Sequence, residues 1–346
     1  MIGAVLVGVY AYRKQLIAEG DAHRADASQL ADRYTTAAEQ LGHEKAAVRL
    51  AGVYALARLA DDWKEQRQVC VDVLCAYVRM PYQSNPRLPG YKEGELEVRQ
   101  TIIRVIREHL QQPGEAASWS NCSFDFTGAS FDGGDLSHSH FHGDVSFSGA
   151  TFSSRLLSFH RATFSSGRVS FESATFSGGR VSFESATFSD SRMSFDSATF
   201  SHGTVSFGPT TFSNCRLYFV DARFSGGTVP FESATFSGGR VYFESATFSG
   251  GKVSFQPAKF SDGTVAFDRA EFSGGRVSFE SATFAGGTVS FGSASFSGGT
   301  VSFESAKFSN GTVDLHSVTS WAEPPLFDVE VLDNPPVGLL LPSLSA

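Results

Sequence analysis

Residues 164–188 read FSSGRVSFESATFSGGRVSFESATF. Phe stands at 164, 176 and 188 and again at 171 and 183, so the gaps alternate seven, five, seven, five. The cadence runs without insertion from Phe152 to Leu315. One series takes Phe152, Phe164, Phe176 and Phe188 on to Phe308; the other takes Phe159, Phe171 and Phe183 through Phe243, Phe255, Phe279 and Phe303 to Leu315. Two residues before a Phe there is usually a smaller apolar residue, as with Ala174, Val181 and Ala186. Apolar, polar, apolar is a period of two, so each 12-residue unit holds two very short strands with residues such as Thr175 and Ser182 turned outward. A helix is excluded by Gly-Gly pairs recurring on the 12-residue spacing and by the Ser, Thr and Val content. Strands this short bury nothing alone, so the Phe side must stack on the next unit, which makes parallel ladders and a β-solenoid. The glycines at 178 and 179, 226 and 227, and 250 and 251 are expected to turn the backbone with positive φ.

The unit Ala-x-Phe-x-x, seen as ATFSG at 174–178, AKFSD at 258–262 and ASFSG at 294–298, resembles the bacterial pentapeptide-repeat proteins. The opening residues fit best, with Phe126, Phe131, Leu136 and Phe141 five apart; from Phe141 onward every other face gains residues. The resemblance implies a right-handed quadrilateral β-helix, with the central Phe and the small residue two before it pointing inward. Two units per coil, about 24 residues, give four faces, and one unit gives a flattened coil of about 12. Four corners are preferred, because in the family the residues between successive strands turn the chain by a right angle. Seven coils from Phe147 to Leu315 would then make a rod of about 34 Å. The expected fold class is α+β: a helical block followed by this solenoid. Its core ladder includes Phe152, Phe164, Phe176, Phe188, Phe171, Phe183, Phe243, Phe255, Phe279 and Phe303.

The rest of the 346 residues divides around that run. Residues 1–12 form an apolar segment followed by Arg13-Lys14, too short to span a bilayer alone, which needs about 20 residues; it is either a helix start or the end of a truncated membrane anchor. Residues 13–112 read as one helical domain that seals the first coil. Val48, Ala51, Gly52, Ala55, Leu56 and Leu59 share one helix face, and Cys70, Val73, Leu74, Tyr77 and Val78 another, a pair that resembles a HEAT-type hairpin. A last helix from Glu95 sets Val98, Ile102, Val105, Ile106 and His109 on one side. Residues 113–122 are a linker, 123–315 the solenoid, and 316–346, with two Pro-Pro pairs, a capping or disordered tail.

The function classes narrow by exclusion. A net charge of −8 points to neither nucleic acid nor a strong polyanion. Four cysteines, Cys70, Cys75, Cys122 and Cys215, show no metal or redox spacing. No nucleophile motif or phosphate loop is present, and carboxylates such as Glu172, Glu184, Glu244 and Glu280 occupy one repeated outward position, so no catalysis, cofactor or metal is expected. His138, His140 and His142 alternate on one strand, but the outer two lie about 13 Å apart when extended and cannot share an ion. Threonines at 151, 163, 175, 187, 199, 211, 235, 247 and 283 form a row that raises ice binding, although Arg223, Lys259, Glu271 and Lys307 interrupt it. The resemblance also raises mimicry of DNA toward a type II topoisomerase. Residues 121–320 hold 17 acidic against 13 Lys and Arg side chains, too mixed for a one-sign field. The default is a non-enzymatic scaffold for a protein partner of unknown identity, cytoplasmic or held at the cytoplasmic face of the inner membrane, with its oligomeric state open.

Overall fold

A computed structural model of the chain describes residues 28–342. The apolar segment 1–12 and its anchoring role lie outside the described residues. Two compact units part between Leu74 and Cys75, inside the third helix. In the first, helix α1 (28–41) and helix α2 (Ala46–Asp62) cross closely at Gly52, where an added Cβ would sit 2.9 Å from the carbonyl oxygen of Ala37. The buried face of α2 is Gly52, Val53, Leu56, Ala57, Leu59 and Ala60. It is rotated from the expected stripe, which leaves Ala51 exposed. Helix α3 (Arg67–Arg79) follows, and its second half belongs to the other unit.

That second unit holds helix α4 (Glu95–Leu110) and the solenoid. From Phe124 onward every strand pairs in parallel with the strand one coil away, and the register advances two 12-residue units at a time: Arg168 faces Arg192, which faces Arg216, which faces Arg240. Four strand columns make four faces. Face one stacks ten strands, from Phe124–Asp125 to Leu339–Leu340. Face two begins at Ser130–Phe131 and ends at Ser320–Trp321, face three begins at Gly134–Asp135, and face four runs from His140–Phe141 to Lys307–Phe308. Nine spacings of about 4.8 Å give a stack of about 43 Å. Faces two and three fuse where the strands Thr247–Ser254, Glu271–Ser278 and Ser295–Ser302 run through the corner. The opening coil is shorter, pairing Phe124 with Val145 and Phe131 with Phe152, as five-residue faces without insertions require.

The core consists of four Phe columns. Phe195, Phe219 and Phe243 are fully buried and stack with centroids 4.8 and 4.7 Å apart and planes within 5°. The rise of a parallel sheet is nearly the stacking distance of two rings, so one winding satisfies backbone pairing and ring packing together. Columns from opposite faces meet edge to face, as Phe219 does with Phe231 at 85°, and columns from adjacent faces tilt against each other, as Phe219 does against Phe224 at 47°. Inward Ala174, Val181 and Ala186 fill the space between columns. Thr175 is half-buried, but Ser182 is buried at its face's centre, where Oγ accepts the N–H of Glu184 at 3.3 Å.

Positive φ is distributed differently from the expectation. Gly227 has φ 64 and Gly251 φ 70, whereas Gly178, Gly179, Gly226 and Gly250 do not adopt it. A Cβ at Gly226 would overlap the carbonyl oxygen of Ser201 in the preceding coil, so that glycine permits close stacking rather than a left-handed turn. The regular left-handed residue is the serine ending many Val-x-Phe-x-Ser faces, as at Ser173, Ser185 and Ser197 (φ 57 to 59).

Both ends of the solenoid carry caps. Helix α4 lies over the first coil: Ile103 occupies the space a side chain at Gly134 would need, Arg99 Nη2 donates to the Ser130 carbonyl at 3.0 Å, and Arg107 Nε donates to that of Ser137 at 3.2 Å. Trp119 is fully buried and stacks on His109 at 4.1 Å. At the far end Phe327 stacks on Phe303 at 5.0 Å and 4°, Trp321 turns edge-on to Phe296, and Leu339–Leu340 pair with Val313–Asp314. A short helix α5 (Val329–Asp333) lies between these strands. Face four ends at Lys307–Phe308, with no strand over it among the described residues.

Candidate interaction surface

With two units in each coil, outward positions that look like one row in the sequence separate onto different faces. The threonines at 163, 187, 211, 235 and 283 align on face four, broken by Lys259 and Lys307. Those at 151, 175, 199 and 247 align on face two, broken by Arg223 and Glu271. Glu172 and Glu244 follow face-one strands, Glu184 and Glu280 face-three strands, so carboxylates assigned to one position point in two directions. Arg180 forms an ion pair with Glu184 at 3.3 Å, and Arg269 with Glu244 at 3.4 Å. The pairs are more than a third exposed on the arginine side and contribute little to stability.

Face one carries the most continuous charge. Arg168, Arg192, Arg216 and Arg240 stack in register and are all exposed. Beside them Tyr218 and Tyr242 stack at 5.0 Å, in a row that holds serine at 146, 170 and 194 before them and Ala266 after them. The Arg192 guanidinium lies 4.6 Å over the Tyr218 ring, and Arg240 Nη1 reaches Tyr242 Oη at 3.4 Å, a hydrogen bond that raises the guanidinium's already high pKa. On the same face burial raises the Asp196 carboxyl, whose Oδ1 accepts the N–H of Val220 at 3.0 Å.

The other sequence candidates do not assemble into a reactive site. The strand near the histidines is only His140–Phe141, and His138 stands on the preceding turn at φ 58, facing His160 at 6.0 Å. Burial and the neighbouring His142 and His138 lower the His140 pKa. Among the described residues no group of His, Cys, Asp and Glu could hold a metal ion. The four cysteines are buried; burial pushes the Cys70 thiol to about 11 and the Cys215 thiol to about 12. The core Phe residues named from the sequence occupy the inner columns, each no more than 3% exposed, and touch no solvent-facing chemistry. A cleft of about 710 Å³ lies between α4 and the first coils, lined by Arg104, Arg107, Asp135, Leu156 and His160. Its Arg107 is already held by Asp135 at 3.0 Å and by Ser137. Sequence reading missed this cleft, whereas the arginine ladder follows from the sequence: counting two units at a time stacks Arg168, Arg192, Arg216 and Arg240, as the structure does.

The architecture defines a repeat protein: a parallel four-sided β-solenoid that follows a helical N-terminal block in the chain. Residues 126–175 match the family model for pentapeptide repeats, in nine copies. The chain is thus a pentapeptide-repeat solenoid, and the coils after residue 175 continue the same winding. A search of curated proteins found no match. No helix among the described residues is long and apolar enough to cross a membrane.

Proposed function

We propose that the protein is a non-enzymatic scaffold, a stiff rod that displays ranks of side chains to a protein partner. The observation that carries this reading is the in-register repetition of outward residues on four faces around a continuous Phe core. A surface held by such a core is preorganised, so a partner meets it with little ordering cost. Reciprocal affinity purification after crosslinking in native cells tests the reading. The partner should be lost when outward residues of one face are replaced and retained when another face is altered. Partners that persist after all four faces are changed, or turnover of a substrate by the purified protein, would contradict it.

The same reading places the protein in the cytoplasm or at the cytoplasmic face of the inner membrane, which fractionation of the full-length product tests. Mimicry of DNA toward a type II topoisomerase is less favoured, because the arginine ladder sets positive charge along a face that a mimic needs negative. A supercoiling assay decides it. Ice binding fares no better with Lys259 and Lys307 in the face-four threonine row, and absence of thermal hysteresis would end it.

A further inference from the structure

The winding does not require the four-arginine ladder on face one. The equivalent positions three, four and five coils after Arg192 are Thr264, Thr288 and Thr312, so the winding accepts a neutral residue. Like charges stacked one strand apart are mutually destabilising. None of the four guanidiniums is in an ion pair among the described residues. Arg192 lies over Tyr218 and is also within electrostatic reach of the Asp196 carboxylate, and Arg240 reaches Tyr242.

The complementary surface lies at the C-terminal cap of the same chain. After Lys307 the sequence contains Asp314, Glu323, Asp328, Glu330 and Asp333 and no Lys or Arg. Glu323, Glu330 and Asp333 are exposed. Apolar side chains are exposed beside them: Val329 at 72%, with Leu326, Leu332 and Val337. The cap cannot fold back onto its own ladder, because Leu339–Leu340 are locked over Val313–Asp314, four coils or about 19 Å beyond Val241.

We propose that the arginine ladder is the docking site for the acidic, partly apolar C-terminal cap of a second copy of this chain. Carboxylates around α5 neutralise the stacked guanidiniums, and Val329 and Leu332 cover the tyrosine pair. The contact joins two different surfaces, so each copy keeps one of each free, and assembly is open-ended rather than closed. This inference rests on reading the solenoid as a protein-binding rod and names its partner.

The test is sedimentation velocity of the full chain over a range of concentrations. The wild type should self-associate at about 0.05 M salt and lose at least tenfold in affinity at about 0.5 M, where exposed charges are screened. Arg192→Thr with Arg216→Thr, a change the fold already tolerates in later coils, should weaken association about tenfold or more with unchanged circular dichroism. Glu323→Gln with Glu330→Gln and Asp333→Asn should do the same. Mixing the two variants restores one intact contact, so 1:1 pairs should form and stop there. A wild type that stays monomeric, a ladder variant that associates like the wild type, or a mixture that does not pair would each overturn the proposal. A monomeric wild type leaves the scaffold reading standing, since reciprocal purification tests capture of a foreign partner separately.

Discussion

Replacing Phe219 by Ala removes a ring from the middle of a column. Its side chain is fully buried, stacked between Phe195 and Phe243, tilted against Phe200 and Phe224 and edge-on to Phe231. Buried Phe→Ala changes cost about 3–5 kcal/mol. Here the backbone of each coil is pinned by the coils on both sides, so the cavity cannot collapse, and the cost should lie near the upper end, about 4–5 kcal/mol. Phe308 is the contrast: half-exposed at the end of face four, it stacks only on Phe284 at 5.3 Å and tilts against Phe303. Its loss should cost less than half as much. In a stack where each coil touches only its neighbours, the damage is local. Hydrogen exchange with mass spectrometry should show faster exchange in peptides spanning residues 195–243, with residues 272–296 nearly unchanged, and urea unfolding gives the magnitude. If Phe219→Ala lies within about 1 kcal/mol of the wild type, or Phe308→Ala costs as much, the aromatic columns do not hold the fold.

Three further outcomes follow from individual residues. Burial pushes the Asp125 carboxyl up, but hydrogen bonds from Thr127 and the Arg79 guanidinium outweigh it and leave its pKa below the usual range. A depressed native pKa stabilises above the unfolded value, about 3.9, and the contribution fades as pH falls through the native value. Asp125→Asn should therefore lower the urea midpoint at pH 7 and match the wild type near pH 2; a gap that widens with acid contradicts this. With its thiol near 12, Cys215 is ionised to about one part in ten thousand at pH 8. Iodoacetamide should label it only on unfolding, and rapid labelling of the native protein would show that the coil opens there. Gly239 has φ 80, and a Cβ would overlap the carbonyl oxygen of Cys215; Gly239→Ala should destabilise by about 2–3 kcal/mol in thermal unfolding, and a neutral effect would refute the close approach.

The winding was legible because Phe is repeated with no insertion from Phe152 to Leu315, and period two leaves one solution for such short strands. The choice between one and two units per coil was not legible from charge or size, since Phe176 beside Val181 packs acceptably either way. Stacking decides it: Phe176 lies on Phe200 at 4.8 Å, a neighbour two units away. The continuation of the Phe303 column into Phe327 was present in the numbering, again two units on, but hidden by an inserted Pro-Pro and the loss of the Gly-Gly spacing. The docking of α4 left no pattern of its own. Ile103 lies next to the expected stripe, and its contact at Gly134 depends on a helix and a coil that are well separated in the chain. The arginine ladder was legible once the coil length was chosen: a 24-residue count stacks Arg168, Arg192, Arg216 and Arg240, and only a 12-residue count adds Arg180, which the fold places on face three.

The coil length is the claim on which the faces, the ladder and the caps all depend, and paired cysteines test it directly. Thr187 and Thr211 are in-register partners on face four, whereas Thr199 stands on face two. Parallel neighbours about 4.8 Å apart are within disulfide reach. Under mild oxidation followed by peptide mass spectrometry, Thr187→Cys with Thr211→Cys should crosslink and Thr187→Cys with Thr199→Cys should not. A crosslink between 187 and 199 with none between 187 and 211 would mean a 12-residue coil and would contradict the structure described.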